Sequence, residues 1–235
     1  MAQTFVLITG GNRGLGLGLV KSFLSQPNHV SITAKPLQLP DGSSVIIVKY
    51  DAGVEQDAFD VAKELKEKHG VDHLDIVVAN AGISKSYPLV KDVQRADIQD
   101  HINVNAYGVV SLYQATRDLL EKSTKKPIFT TIGSGAGSLG RQPPVPNAAY
   151  GPSKTIVNWY GVRINAEDEW LTAFVLEPGF VQTDMGNAAA QLFGIGEAPT
   201  TVEESVSGLF KVITTATKEK YGGKVVLYTG EVLDF

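Results

Sequence analysis

The chain contains no cysteine. That absence removes disulfide frameworks, thiolate nucleophiles and Cys-based zinc sites together. No apolar run approaches the roughly 18 residues of a membrane span. Basic residues are not in excess either: 21 Lys and Arg face 25 Asp and Glu, a formal net charge of −4. That balance argues against nucleic acid as the main partner. No Asn-x-Ser/Thr sequon occurs, and the first strand-like run starts almost at Met1, which leaves no length for a signal peptide. These absences predict a cytosolic, metal-independent protein that does not bind membranes. What is present is ordinary for a globular chain. Hydrophobic residues make up 43% of 235 positions, enough for one α/β domain over 1–235.

Short apolar runs recur at Thr4–Thr9, His29–Ala34, Val45–Lys49, Leu74–Ala79, Ile128–Ile132, Leu171–Leu176 and Val225–Tyr228. They are rich in Val and Ile and do not alternate with polar residues. Such runs suit parallel strands buried on both faces. Helical patterns lie between several of them, at Leu15–Leu24, Gln56–His69, Gln94–Lys122, Tyr150–Asp168 and Val202–Thr215. In the second, Phe59, Ala62 and Leu65 supply the apolar positions. Strand–helix alternation predicts a Rossmann-type, doubly wound, mostly parallel seven-stranded sheet with helices on both faces. One connection departs from this pattern. The stretch from Lys35 to Ser44 has about ten residues with two prolines, short for a parallel crossover. An irregular or one-turn link is expected there.

The first strand ends in Thr9-Gly10-Gly11-Asn12-Arg13-Gly14-Leu15-Gly16. Glycines permit a tight strand-to-helix turn and close approach of the backbone to phosphate. The helix that follows presents free N–H groups and partial positive charge to an anion. This position makes the loop a nucleotide site, although Gly10-x3-Gly14-x-Gly16 is not GxGxxG.

The pattern Tyr-x3-Lys occurs twice. Tyr87 and Lys91 span Pro88 and read as loop structure. Tyr150 and Lys154 open a helical pattern, where residues four apart share a face. A free phenol has a pKa near 10, and a neighbouring ammonium would favour the phenolate. Tyr150 is therefore a candidate acid/base. Ser134 follows the strand Ile128–Ile132 at the carboxyl edge, where α/β sheets bind ligands; Ser138 competes with it. Asn80-Ala81-Gly82 ends another strand at the same edge. Asn105 lies within the long helical pattern although Asn is a mediocre helix former, which points to a kink or a polar role.

Taken in order, TGGNRGLG, Asp51, Asn80-Ala81-Gly82, Asn105, Ser134, YGPSK and Pro178–Thr183 resemble the short-chain dehydrogenase/reductase family over nearly the whole chain. Within it, Pro146–Tyr150 and Glu177–Met185 look similar to fungal norsolorinic-acid ketoreductase-like enzymes and related carbonyl reductases. The resemblance implies a catalytic set of four. Tyr150 would donate a proton to a carbonyl oxygen, Lys154 would lower its pKa and bind the nicotinamide ribose, Ser134 would polarise the carbonyl, and Asn105 would hold a relay water. The glycine loop, with Gly10, Asn12, Arg13, Gly14, Leu15 and Gly16, would border the pyrophosphate. Asn80, Ala81 and Gly82 would lie on the adenosine ribose side and Asp51 near the adenine. Pro178, Gly179, Val181 and Thr183 would hold the carboxamide.

Dinucleotide folds that use NAD usually place an acid after the second strand. Here that position reads Thr33-Ala34-Lys35. Lys35 and Arg13, with its fork of donors, suit a 2′-phosphate instead, so the expected cofactor is NADP(H). The expected substrate is a small-molecule carbonyl compound, aromatic or polyketide-like. A redox-neutral isomerase or cyclase and a dinucleotide sensor on the same scaffold are the alternatives. Arg141 to Pro146 would form either a pocket wall or a rigid loop. The Ala- and Gly-rich stretch 186–199, with Leu192 and Phe193, would be either a mobile substrate lid or structural. His69 and His73 read as surface residues, not a metal pair. The long helices 94–122 and 150–168 would pair in a homodimer or homotetramer.

Overall fold

In the computed structural model, which describes residues 3–33 and 44–235, eight strands form one sheet. Strand β1 (Thr4–Ile8) leads through helix α1 (Gly14–Leu24) to β2 (His29–Thr33), and β3 (Ser44–Ile47) leads through α2 (Glu55–His69) to β4 (Ile76–Ala79). Then come α3 (Arg95–Ile102), a π-helical segment (Asn103–Tyr107), α4 (Gly108–Glu121) and β5 (Ile128–Ile132). A 3-10 turn (Gly135–Gly137), α5 (Tyr150–Glu167), β6 (Thr172–Glu177), α6 (Asp184–Leu192), α7 (Val202–Thr214) and α8 (Lys218–Tyr221) precede β7 (Val225–Leu227) and β8 (Val232–Leu233). The order across the sheet is β3-β2-β1-β4-β5-β6-β7-β8. Every pairing is parallel except β7 with β8. The expected seven strands are therefore eight. The extra one is a two-residue antiparallel edge, too short to leave a periodic signal.

The lack of alternation in the apolar runs has a direct cause, since each central strand buries both faces. In β1, Leu7 packs toward one core while Val6 and Ile8 pack toward the other. The same division places Val77 opposite Val78 in β4, and Val175 opposite Phe174 and Leu176 in β6. One core is closed by α2, α4 and α5 through Val61, Leu65, Leu112, Leu119, Val157 and Ile164. The other is closed by α1 and α7 through Leu19, Phe23, Leu209 and Ile213. In α2 the buried stripe is Ala58, Val61, Ala62 and Leu65, and Phe59 stands exposed. The stripe is set one residue away from Phe59, which corrects the expected apolar position.

The structure refines two further expectations. The long helix 94–122 is broken at Asn103–Tyr107, and Asn105 sits inside the π-helical segment. Such insertions bend helices and are frequent at functional sites. The first half of the stretch 186–199, read as either a lid or structural, lies in helix α6, capped by Thr183 Oγ1 accepting from the Gly186 N–H at 3.1 Å. The stretch beyond it is tied back by Asn187 Oδ1, which accepts from the Ala198 N–H at 3.1 Å. The expected irregular link between β2 and β3 lies outside the described residues.

Candidate functional site

The strand order reverses between β1 and β4, which opens a crevice at their carboxyl ends. The glycine loop and Asn80-Ala81-Gly82 meet there. Asn80 Nδ2 donates to the Thr9 carbonyl at 2.8 Å, and the Thr9 hydroxyl accepts from the N–H groups of Asn80 and Ala81, both at 3.0 Å. Asn80 is thus a brace between the two loops. Gly10 has φ +65°, and a Cβ on it would stand 2.9 Å from Asn80 Nδ2. Any side chain there would wedge the brace apart. Gly14, φ +52°, opens α1, and a Cβ on it would lie 3.3 Å from Thr183 Cγ2. Thr183, at the head of α6, thereby faces the loop across the crevice. Gly16 is buried against the Gly10 carbonyl, while Leu15 is half-buried and Asn12 exposed.

No side chain caps α1, and its first turn carries no acid. The first N–H groups of a helix have no intrahelical partners. Here they form the positive end of a dipole beside the crevice, an arrangement that favours negative charge. Arg13 pairs with Asp184 at 3.3 Å, with both side chains well exposed. Such a pair contributes at most about 1 kcal/mol, so Arg13 can exchange Asp184 for a stronger anion. Lys35 lies outside the described residues. Asp51 is exposed after β3, and one carboxylate oxygen accepts from the Gly53 N–H at 2.8 Å.

The four residues expected to act together converge. Tyr150 is the first residue of α5, and Lys154 Nζ stands 5.8 Å from its ring centroid. Lys154 is 6% exposed, and its Nζ donates to the Ile132 carbonyl at 2.6 Å. Burial alone brings its pKa from 10.5 down to about 8. Ser134, two residues beyond β5, is extended and caps the start of the 3-10 turn, its Oγ accepting from the Ala136 N–H at 3.2 Å. Its hydroxyl is near enough to Tyr150 to pull the phenol pKa down. Ser138 is buried, with its Oγ accepting from the Arg141 N–H at 3.0 Å, whereas Ser134 is half-buried and lies beside Tyr150.

The phenol is shifted upward, against the expected lowering. Burial pushes Tyr150 up to about 12, outweighing the Ser134 contact, and Tyr87 nearby adds to the rise. Desolvation of the anion is the dominant effect. Asn105 is committed through its side chain. Its Oδ1 accepts from the Ile83 N–H at 2.8 Å, and its Nδ2 donates to the Ile83 carbonyl at 2.9 Å and to Ser153 Oγ at 3.0 Å. Ser153 in turn donates to the Tyr150 carbonyl at 2.6 Å. Gly82 lies beside Asn105 and Lys154.

Beyond β6, the Pro178 carbonyl accepts from Ser205 Oγ at 2.7 Å, Gly179 turns at φ +82°, and buried Val181 bridges to Thr200. This fixes the segment that leads to Thr183. A cavity of about 490 Å³ opens nearby, lined among others by Tyr87, Pro144, Val145, Pro146, Leu192 and Phe193. The proline stretch is therefore a wall. Arg141 is not part of it: it turns to Glu177 at 3.2 Å and to the Asp234 carbonyl. Tyr87 and Phe193 meet edge to face at 5.0 Å between centroids. Sequence reading dismissed Tyr87, and it missed Ser153 and the fully buried His101, whose ring packs 6.1 Å from that of Tyr150. The spacing of His101 four residues before Asn105 was the available signal. His69 and His73 face different carboxylates, Glu64 and Asp72. Among the described residues, no helix is long and apolar enough to cross a membrane.

Residues 4–191 match the short chain dehydrogenase family. The norsolorinic acid ketoreductase of Aspergillus parasiticus is 39% identical over 241 residues, covering 97% of this chain and 89% of that protein. That of Dothistroma septosporum is also 39% identical, covering 96% and 90%. An NADPH-bound carbonyl reductase from chicken fatty liver shares the fold at a TM-score of 0.83, with 22% identity and full coverage of both chains. With its crevice, its tyrosine–lysine pair and its serine in place, this chain belongs to the short-chain dehydrogenase family of oxidoreductases.

Proposed function

We propose that the protein reduces a ketone with NADPH, with Tyr150 as the proton donor. The observation that carries this is the half-buried Tyr150 set between Ser134 and the buried Lys154 beside the crevice. The crevice fits a dinucleotide: the uncapped start of α1 suits a pyrophosphate, and Gly14 leaves the backbone open to it. Lys154 and Tyr150 would hold the nicotinamide ribose, and Pro178, Gly179, Val181 and Thr183 the carboxamide. A reduced nicotinamide supplies the hydride when bound. Ser134 and Tyr150 both donate to the carbonyl oxygen. As that oxygen gains charge, the Tyr150 O–H bond breaks and the proton moves to it. The phenolate left behind faces the Lys154 ammonium. A relay water at Asn105 would meet its main chain, since the side chain is engaged with Ile83 and Ser153.

The cavity of about 490 Å³ and its aromatic pair Tyr87 and Phe193 suit an aromatic or polyketide-like ketone. The relatives named for norsolorinic acid support the same class. Residues 186–199 would face that substrate.

Fluorescence titration and a panel of aromatic ketones test this reading. NADPH is expected to bind more tightly than NADH, and each turnover to consume one NADPH. Arg13→Ala is expected to narrow the preference roughly tenfold, the scale of one charge-assisted bond at an exposed site. Product formed without NADPH consumption would favour a redox-neutral isomerase. Binding of neither nucleotide would end the proposal.

A homo-oligomer is supported by exposed Tyr107 beside α4 and by Trp159 and Val162, three apart on α5. Sedimentation velocity is expected to show a dimer or tetramer that Trp159→Glu weakens. A monomeric unaltered protein would refute this assembly.

A further inference from the structure

We propose that His101 is a positioning residue that sets the cavity wall Lys85–Tyr87 against the catalytic tyrosine. This rests on the carbonyl-reduction reading and deepens it. The ring is fully buried. Its Nδ1 lies 2.6 Å from the Asp97 carbonyl, and its Nε2 lies 3.0 Å from the Lys85 N–H. A carbonyl can only accept and an amide N–H can only donate. The ring must therefore carry its proton on Nδ1 and a lone pair on Nε2. No other arrangement satisfies both neighbours.

The consequence runs in two directions. The imidazole and the Tyr150 ring lie edge to face, with 6.1 Å between centroids and 72° between planes. The lone pair holds the backbone of the loop that carries Ser84, Ser86 and Tyr87. That loop is anchored again two residues earlier, where Asn105 grips both backbone groups of Ile83. Between and beyond these anchors, Ser84 Oγ donates to the Tyr87 hydroxyl at 2.7 Å, and Tyr87 packs on Phe193. Without the His101 acceptor, the first anchor still holds the chain at Ile83. The second is lost, and Tyr87 is no longer fixed at a set distance from Tyr150. The effect belongs to substrate fit, since the glycine loop and α1 are not touched.

Three variants separate this role from general support of the fold. His101→Leu keeps bulk against Tyr150 but offers Lys85 no acceptor. It is expected to raise KM for the ketone roughly tenfold while NADPH affinity stays within about twofold, the scale of one buried donor left unpaired. His101→Gln places an amide oxygen where Nε2 stood and is expected to restore most of the loss. His101→Asn reaches only to the Nδ1 position and is expected to behave like His101→Leu. Equal rescue by Gln and Asn, or a parallel loss of NADPH affinity, would overturn the proposal. In the unaltered protein, ring-nitrogen NMR is expected to show a protonated Nδ1 and a bare Nε2 at His101, and the opposite tautomer would overturn it too. That measurement needs neither a folded variant nor turnover, so it succeeds or fails separately from ketone reduction.

Discussion

Tyr150→Phe is expected to lower kcat for ketone reduction by about 10²–10⁴, the usual contribution of a positioned general acid. The substitution deletes one oxygen and leaves the ring packed on His101. Ser134 remains to donate to the carbonyl, so KM for the ketone is expected to change little. What is lost is the proton. Charge then develops on an oxygen in a buried site with one donor where two had been, and an alkoxide there has no nearby acid to neutralise it. Burial pushes the phenol up to about 12, so release of its proton relies on a charge that favours the phenolate, which the Lys154 ammonium supplies. Folding is not expected to suffer, since no backbone bond depends on the phenol. Steady-state kinetics with a ketone from the panel check the result. Full activity of Tyr150→Phe would remove Tyr150 from the chemistry.

The parts of this structure that were legible in the sequence are those fixed by local pattern. Ile128–Ile132 reads as a strand because all five residues are buried, and β-rich apolar residues admit little else at that length. The glycine loop and the Tyr150–Lys154 pair are legible for a similar reason: their geometry follows from strand, turn and helix spacing. The π-helical segment is different. Asn105 hints at a kink in sequence, but the π-helical form of Asn103–Tyr107 does not show there, because it accompanies bonds that Asn105 makes to Ile83 and Ser153, 22 and 48 residues away. Tyr87 was likewise unreadable, because a loop tyrosine acquires meaning only from Phe193, far along the chain. The Ala-rich run after Thr183 reads in sequence as either a lid or a structural stretch, and the threonine cap that makes it a helix and the Asn187–Ala198 bond that ties its end back depend on contacts composition does not display. The protonation state of Tyr150 was hardest of all. Spacing reveals a neighbouring ammonium but not how much water both groups have lost.

Lys154→Met is expected to lower kcat/KM by about 10² and to abolish a pH break near 8. Nζ lies 5.8 Å from the Tyr150 ring centroid. Two unit charges roughly 6 Å apart interact by about 3 kcal/mol at an effective dielectric near 20, but by less than about 1 kcal/mol in water. Burial decides which figure applies, and Lys154 is 6% exposed. About 3 kcal/mol of stabilisation for the emerging phenolate corresponds to about 10² in rate. The same burial sets the pH dependence. With its pKa at about 8, Lys154 is charged below that pH and neutral above it. The kcat/KM for NADPH, which reports the free enzyme, is therefore expected to fall as pH rises past 8. Stability should move in the opposite direction. The folded pKa lies below the ordinary 10.5, so between about 8 and 10.5 the unfolded chain binds more protons and folding gains stability with rising pH. The gain amounts to about 3 kcal/mol across that window. In Lys154→Met both slopes should vanish together, and a break near pH 8 that survived the substitution would belong to another group.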